Sequence, residues 1–302
     1  MKSDFHTKKV LITGISGFTG KYLKTYLLDK GFEVVGVTNN PEDQAPNLLY
    51  ADITKREEIE EVIVTIAPHF IIHLAAISFV GHPTEIDFYN VNVLGTQNIL
   101  SACLQLVEKP QKILLVSSAT VYGNQKVDKL SESLCPNPVN HYGISKLAME
   151  LMAKNYKNEL PIIITRPFNY TAPGQQEMFV IPKIAEVFKN KKETLELGNI
   201  DVYREYNSID LLCDAYHKLM ISDVVDQTVN ISSNKAYSLR EIISIFQTLT
   251  QHYPEVKINP KFVRKNEIER LTGCNEKLNK LVTIEANNSI ELVLKSFLES
   301  EV

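Results

Sequence analysis

Val10-Leu11-Ile12-Thr13-Gly14-Ile15-Ser16-Gly17-Phe18-Thr19-Gly20-Lys21-Tyr22-Leu23 is the stretch that decides the fold. Its apolar opening, Val10 to Ile12, reads as a buried strand. Gly14, Gly17 and Gly20 mark a turn, and Tyr22, Leu23, Tyr26 and Leu27 continue at helical spacing. A strand feeding a glycine-rich turn and then a helix aims main-chain N–H groups and the positive helix end at one point, a pyrophosphate site. Glycine is expected there because a Cβ would hold the backbone away from the ligand. The spacing is Gly-x-x-Gly-x-x-Gly rather than the common Gly-x-Gly-x-x-Gly fingerprint. Taken alone, such a turn also occurs where it does nothing but turn the chain.

Working outward, strands are predicted at 32–37, 70–74, 112–116 and 162–165, and 48–53 leads through Asp52 into a helix. Helices are predicted at 55–66, 86–107 and 140–157 between them. This alternation implies an α/β fold of the Rossmann type, a doubly wound parallel sheet with right-handed crossovers. Ligands then sit at the carboxyl ends of the strands. Beyond 173 the rhythm changes to helices at 181–189, 239–251 and 289–298, with short strands at 195–197, 228–231 and 257–263. The expected organisation is a dinucleotide-binding domain over 1–172 and a smaller C-terminal α/β lobe over 173–302. That lobe is mainly substrate-binding, with some segments returning to the first sheet.

Composition narrows the function classes. The 302 residues carry a net charge of −4, with 23% charged and 44% hydrophobic residues, an ordinary soluble balance. Nothing in it favours nucleic acid or an anionic membrane as partner. The short run at Lys189, Lys191 and Lys192 reads as a solvated helix end. Cys103, Cys135, Cys213 and Cys274 form no CxxC and no ligand pair, and the seven histidines have no ligand spacing. Reduced thiols and no metal site are the expectation. The opening MKSDFHTKKV lacks the apolar core of a signal peptide, and no later run is long enough to span a bilayer. The expected location is the cytoplasm, so the sequons at Asn169 and Asn230 read as coincidental.

Two further constellations carry chemistry. Tyr142 and Lys146 stand four residues apart and share a helix face. A neighbouring ammonium favours the phenolate, and lowering a tyrosine from 10 to about 7 corresponds to roughly 4 kcal/mol. Such a tyrosine exchanges a proton with a hydroxyl or carbonyl near neutral pH. The third stretch, Val116-Ser117-Ser118-Ala119-Thr120-Val121-Tyr122-Gly123, lies where the fourth long strand ends, the edge where a serine hydroxyl can reach a substrate oxygen. Alone, the first pair could be a surface contact and the serines could be strand-end caps.

In this order and register, the three stretches resemble the extended short-chain dehydrogenase/reductase family of nucleotide-sugar enzymes, over nearly the whole chain. Asp52-Ile53, His73-Leu74-Ala75-Ala76 and Asn92-Val93-Leu94-Gly95-Thr96 agree with its lesser motifs. The resemblance implies that Tyr142 is the acid/base, that Lys146 lowers its pKa and binds the nicotinamide ribose, and that Ser118 holds the substrate oxygen. It assigns the cofactor to Gly14, Gly17, Phe18, Thr19, Gly20, Asn39, Asp52, Ile53, Leu74, Ala75, Ala76, Asn92 and Val116, together with Tyr142 and Lys146. Substrate contacts would come from Ser78, Ser118, Asn169, Val180, Arg204 and Arg264, the two arginines gripping a diphosphate.

Arg166-Pro167-Phe168-Asn169, Gly198-Asn199-Ile200-Asp201 and Arg204-Glu205-Tyr206 are most similar to the GDP-6-deoxy-D-mannose reductase group, although that group's Gly-Asp is Gly273-Cys274 here. The related 4,6-dehydratases carry an acidic pair after the catalytic hydroxyl, where this chain has Ala119 and Thr120. The implied activity is reduction of an NDP-4-keto-6-deoxyhexose, GDP-linked, by a homodimer joined through its two long helices. The alternative is a 4-epimerase with tightly held NAD, whose Ser118–Gly123 segment is similar. A non-catalytic dinucleotide sensor has no need of Ser118, Tyr142 and Lys146 together. The second strand runs into Thr38-Asn39-Asn40 with no acid to hold a ribose 2′-hydroxyl and no arginine for a 2′-phosphate. That pattern favours NADP(H), or use of both NADP(H) and NAD(H).

Overall fold

Runs rich in Val, Ile and Leu become the parallel centre of a sheet in the computed structural model, which describes residues 8–43, 45–263 and 268–300. The strands are β1 (Lys9–Thr13), β2 (Glu33–Thr38), β3 (Leu48–Tyr50), β4 (Phe70–His73), β5 (Lys112–Val116) and β6 (Ile162–Pro167). Their order is 3-2-1-4-5-6, every pair is parallel, and the strand Gln227–Ile231 completes seven beside β6. Such strands are apolar without alternation because both faces are covered. Leu11, Ile71, Ile113 and Ile164 pack under the helices α2 (Arg56–Ile66), α4 (Thr96–Gln105) and α5 (His141–Ala153). Their neighbours Val10, Ile12, Ile72 and Leu114 point to the opposite face and are equally buried. The winding reverses between β1 and β4, which opens a crevice at their carboxyl ends.

The helix expected at 86–107 is observed as three pieces: α3 (Glu85–Tyr89), a π-helical turn (Asn90–Gly95) and α4. The π turn inserts an extra residue into the helical ladder. Asn92 lies in this turn, buried and bonded within the protein. The helix expected at 140–157 is α-helical only to Ala153 and tightens to a 3₁₀ turn over Lys154–Tyr156. Among the described residues two helices escaped the sequence reading: the short Glu276–Leu281, and α7 (Ile209–Ile221), preceded by Ser208 whose hydroxyl accepts from the N–H of Leu211. The remaining long ones are α1 (Phe18–Asp29), α6 (Val180–Lys189), α8 (Leu239–Thr250) and Ile290–Glu299.

The chain divides into two compact units. The first runs to Val121 and adds Pro138–Arg166 and Ala215–Val229; it contains the six numbered strands almost entirely. The second takes Tyr122–Asn137, Pro167–Asp214 and the chain from Asn230 onward. Its core packs α6, α8 and the helix Ile290–Glu299 around Ile184, Ile242 and Leu294, with the rings of Phe188 and Phe246 stacked at 5.2 Å. Among the described residues, no helix is long and apolar enough to cross a membrane.

Candidate active site

The glycine loop follows β1 directly. Gly14 donates its N–H to Val37 at 3.0 Å and has φ +71, a left-handed conformation. A Cβ there would stand 2.8 Å from the amide nitrogen of Ala75, and one on Gly20 would fall 2.5 Å from the carbonyl oxygen of Gly14. Two of the three glycines therefore also let protein backbone approach protein backbone. Only Gly17 is left comparatively open, its nearest atom the oxygen of Gly14 at 3.2 Å. Gly17 caps α1 without a side-chain hydrogen bond, and the first turn, with Phe18 and Thr19, has no acid. No acid of the helix itself opposes its positive end, and the loop fits the pyrophosphate of a dinucleotide.

Opposite it lies the loop after β4. Ala75 donates its N–H to the Thr13 hydroxyl at 3.2 Å, and that hydroxyl lies 2.6 Å from Nδ1 of His73. His73 Nε2 is 2.9 Å from the Thr96 hydroxyl, which donates to the carbonyl of Asn92 at 2.7 Å. Because Thr96 spends its hydrogen on Asn92, Nε2 carries the imidazole proton and Nδ1 accepts from Thr13. Burial, with a smaller push from Lys146, lowers His73 to about 3, so it stays neutral. Leu74, Ala75 and Ala76 are half-buried along this loop, and Ser78 is exposed beyond them.

Asn92 donates both amide hydrogens inward, to Ile77 O at 3.2 Å and Ser145 Oγ at 3.0 Å, and accepts from Ile77 N. It shapes the loop and α5. Asp52 accepts from the N–H and hydroxyl of Thr54. The Ile53 side chain turns into the core, under Gly95. That leaves its main chain for any cofactor contact. Asn39 is exposed just past β2.

The expected catalytic set gathers where β5 ends. Lys146, buried on α5, donates to the carbonyl of Val116 at 2.7 Å. Burial lowers it to about 8, against an upward pull from Glu150. Ser118 follows Val116 by two residues, and its oxygen accepts from Thr120 N and Oγ1 at 3.2 and 2.9 Å. Tyr142 lies in the first turn of α5, one turn before Lys146, its ring centroid 6.2 Å from that of Phe88. Asn140 caps that turn by accepting from Gly143 N at 2.8 Å.

Three contributors lay outside the sequence-based site. Gly143 lets α5 lie against the turn that holds Ser118, since a Cβ would meet the Thr120 carbonyl oxygen at 2.9 Å. Glu150 is buried one turn after Lys146, a spacing readable from sequence. It accepts from Ser117 Oγ at 2.5 Å and pairs two-pronged with Arg166, at 2.9 Å from Nε and 2.6 Å from Nη2. Arg166 comes from β6, and no local pattern announces that pairing.

The expected substrate residues of the second unit are described within it. Asn169 is exposed, its carbonyl bonded to Asn207 N at 3.0 Å. Val180 opens α6, half-buried on that unit's core. Arg204 is engaged within the protein. Its guanidinium donates to the carbonyls of Tyr203 at 2.8 Å, Glu269 at 3.4 Å and Ile268, so it staples its strand to the 268–270 segment. Arg264 lies outside the described residues.

Comparison with known proteins identifies the family. The sequence profile of the family described as GDP-mannose 4,6 dehydratase matches residues 11–297. A GDP-6-deoxy-D-talose 4-dehydrogenase of Aggregatibacter actinomycetemcomitans is 37% identical over 271 residues, covering 89% of this chain and 90% of that one. A GDP-6-deoxy-D-mannose reductase of Pseudomonas aeruginosa is 28% identical, covering 90% of each. The solved structure of RMD from Pseudomonas aeruginosa, complexed with NADPH, superposes with a TM-score of 0.84 at 26% identity over 97% of each chain.

Proposed function

We propose one activity for this chain, which belongs to the GDP-mannose 4,6 dehydratase family within the extended short-chain dehydrogenases/reductases: an NAD(P)-dependent oxidoreductase that interconverts a GDP-4-keto-6-deoxyhexose and its C4 alcohol. 6-Deoxytalose and 6-deoxymannose differ only at C4, so one 4-keto compound links both named relatives. The observation that carries the reading is the end of β5. Ala119 is 1% exposed, and Thr120 turns its hydroxyl to Ser118. The two positions where related dehydratases hold acids therefore have none to expel a C6 hydroxyl, while Ser118, Tyr142 and Lys146 remain.

A nicotinamide dinucleotide held at the glycine loop would supply the hydride chemistry at C4. Tyr142 gives the proton to the C4 oxygen, and Ser118 holds that oxygen in line. The Lys146 ammonium, buried beside them, favours the phenolate that forms. Ser78, Asn169 and Val180 contact the sugar side. Arg204 exchanges its neutral carbonyl partners for the charged diphosphate, which makes stronger hydrogen bonds. Arg264 is assigned to the same diphosphate from sequence.

The enzyme acts in the cytoplasm as a homodimer. Supporting the dimer, α3, the π turn and α5 expose Ile86, Leu94 and Leu151 at 60%, 50% and 53%. Apolar exposure of that extent on neighbouring helices suits a partner helix pair. Sizing by light scattering tests it, and a monomer at micromolar concentration removes it.

The activity is tested by adding GDP-4-keto-6-deoxymannose with NADH or NADPH and following reduced nicotinamide. Stoichiometric loss over many turnovers is expected, with a 6-deoxy sugar as product. Interconversion of C4 epimers without added cofactor would replace this reading with the epimerase. Tyr142→Phe is expected to lose about 10²- to 10⁴-fold in turnover; full activity in that variant removes both readings.

A further inference from the structure

The sequence places no acid where β2 ends, yet the fold supplies one. After Thr38 the chain closes a tight turn in which Asp43 N donates to Asn40 O at 3.1 Å and Asn40 N donates to Thr38 Oγ1 at 3.1 Å. The turn carries the Asp43 carboxylate back onto the strand end. Its Oδ2 accepts from Thr38 Oγ1 at 2.8 Å and its Oδ1 from Asn40 Nδ2 at 2.9 Å. The Ser16 hydroxyl, between Gly14 and Gly17 in the glycine loop, also bonds this carboxylate. One side chain thus bridges the loop at the head of α1 and the end of β2. Those two elements are already joined by the bond from Gly14 N to Val37 O.

In a doubly wound sheet, the ribose next to the pyrophosphate lies between these two elements, and an acid there accepts from its 2′-hydroxyl. We propose that Asp43, reaching the end of β2 from the following loop, makes this enzyme select NAD(H) over NADP(H). The proposal rests on the dinucleotide reading of the glycine loop and names the discrimination that loop makes. The hydrogen bond from Ser16, then that from Thr38, then that from Asn40, holds the Asp43 carboxyl below the usual carboxylate range, with a smaller pull from Lys21. It is therefore anionic at neutral pH. A 2′-phosphate would bring a second anion against it, and close like charges oppose binding. Lys21 is the cation that acts on Asp43, from the exposed face of α1, and it offsets the repulsion only partly.

Equilibrium binding to the full-length protein decides it, read from the fluorescence of NADH and NADPH on titration. The native protein is expected to bind NADH at least about tenfold more tightly than NADPH. Asp43→Asn should raise NADPH affinity and bring the two within a few-fold. Glu42→Gln, removing the neighbouring exposed charge, should leave the ratio unchanged. A native protein that binds NADPH as well as NADH overturns the selection by Asp43 while leaving the glycine loop as a dinucleotide site. The same holds if Asp43→Asn binds with an unaltered ratio. Binding of neither nucleotide overturns both. The native ratio needs no variant, so a loop disturbed by the substitution does not decide the outcome.

Discussion

The ammonium of Lys146 sits 2.7 Å from the carbonyl oxygen of Val116, so the last carbonyl of β5 anchors the cation one turn beyond Tyr142. A lysine held by a neutral carbonyl in a dry site gives up its proton more readily than one in water. That makes the charge, and with it the proposed chemistry, dependent on pH just above neutrality.

The activity limb follows from this sign. Lys146 is charged below about 8 and neutral above, so kcat/KM is expected to fall as pH rises through about 8. Stability moves the other way. Between about 8 and 10.5 the unfolded chain binds the proton that the folded protein has lost, so folding is favoured as pH rises through that window. The burial costs about 3 kcal/mol below pH 8. The unfolding free energy of Lys146→Met, compared with that of the native protein, should therefore show a difference that shrinks from pH 8 to 10.5. A difference that stays flat means that Lys146 is not depressed.

Glu150 and Arg166 form a two-pronged pair with side chains only 3% and 6% exposed. Removing one partner strands the other charge, so Glu150→Gln should cost about 3–5 kcal/mol in urea unfolding. Replacing both by methionine should recover most of that loss, since neither charge is then left buried alone. Equal, additive losses would show the pair to be uncoupled.

His73 predicts acid sensitivity. Its value of about 3 lies below the ordinary 6.5, so the unfolded chain binds a proton that the folded one refuses between those limits. Stability should fall as pH drops below 6.5, by up to about 1.4 kcal/mol per pH unit from this residue. His73→Gln keeps a donor and an acceptor without a titrating ring, and its stability–pH slope should be shallower by one proton. Identical slopes would refute the neutral relay.

Gly14→Ala combines a left-handed backbone with a Cβ 2.8 Å from Ala75 N, so the loop must shift and dinucleotide binding should be lost. Gly31→Ala is the control. Gly31 also has positive φ, +84, but its Cβ would meet nothing within 4 Å. Only the backbone penalty of about 1–2 kcal/mol should appear, with binding intact. Equal binding in both variants would show that the contact with Ala75 does not matter.

Much of the site was legible because it is local. Ser118 and Lys146 come within reach of Val116 because a strand end and a helix turn carry them, and the strand–glycine–helix of 10–23 is one contiguous piece. The partners that Arg204 takes within the protein were not legible, for the opposite reason. Its partners, the carbonyls of Ile268 and Glu269, lie more than sixty residues away in the chain and carry no side-chain signature. α7 was missed because its start is capped by Ser208 without a Glu or Gln to complete a capping box.

The sequence by itself determined the alternation of long strands and helices over the first 165 residues, the position of the glycine turn and the spacing of Tyr142 and Lys146, because hydrophobic period and glycine placement act between near neighbours. Only the tertiary structure decided which glycines touch protein, which way the His73 tautomer points, that Glu150 meets Arg166, and that Asp43 returns to the end of β2. Those outcomes depend on hydrogen bonds and excluded volume between segments distant in the chain or joined through a folded turn. Such contacts exist only once the sheet has set the distances.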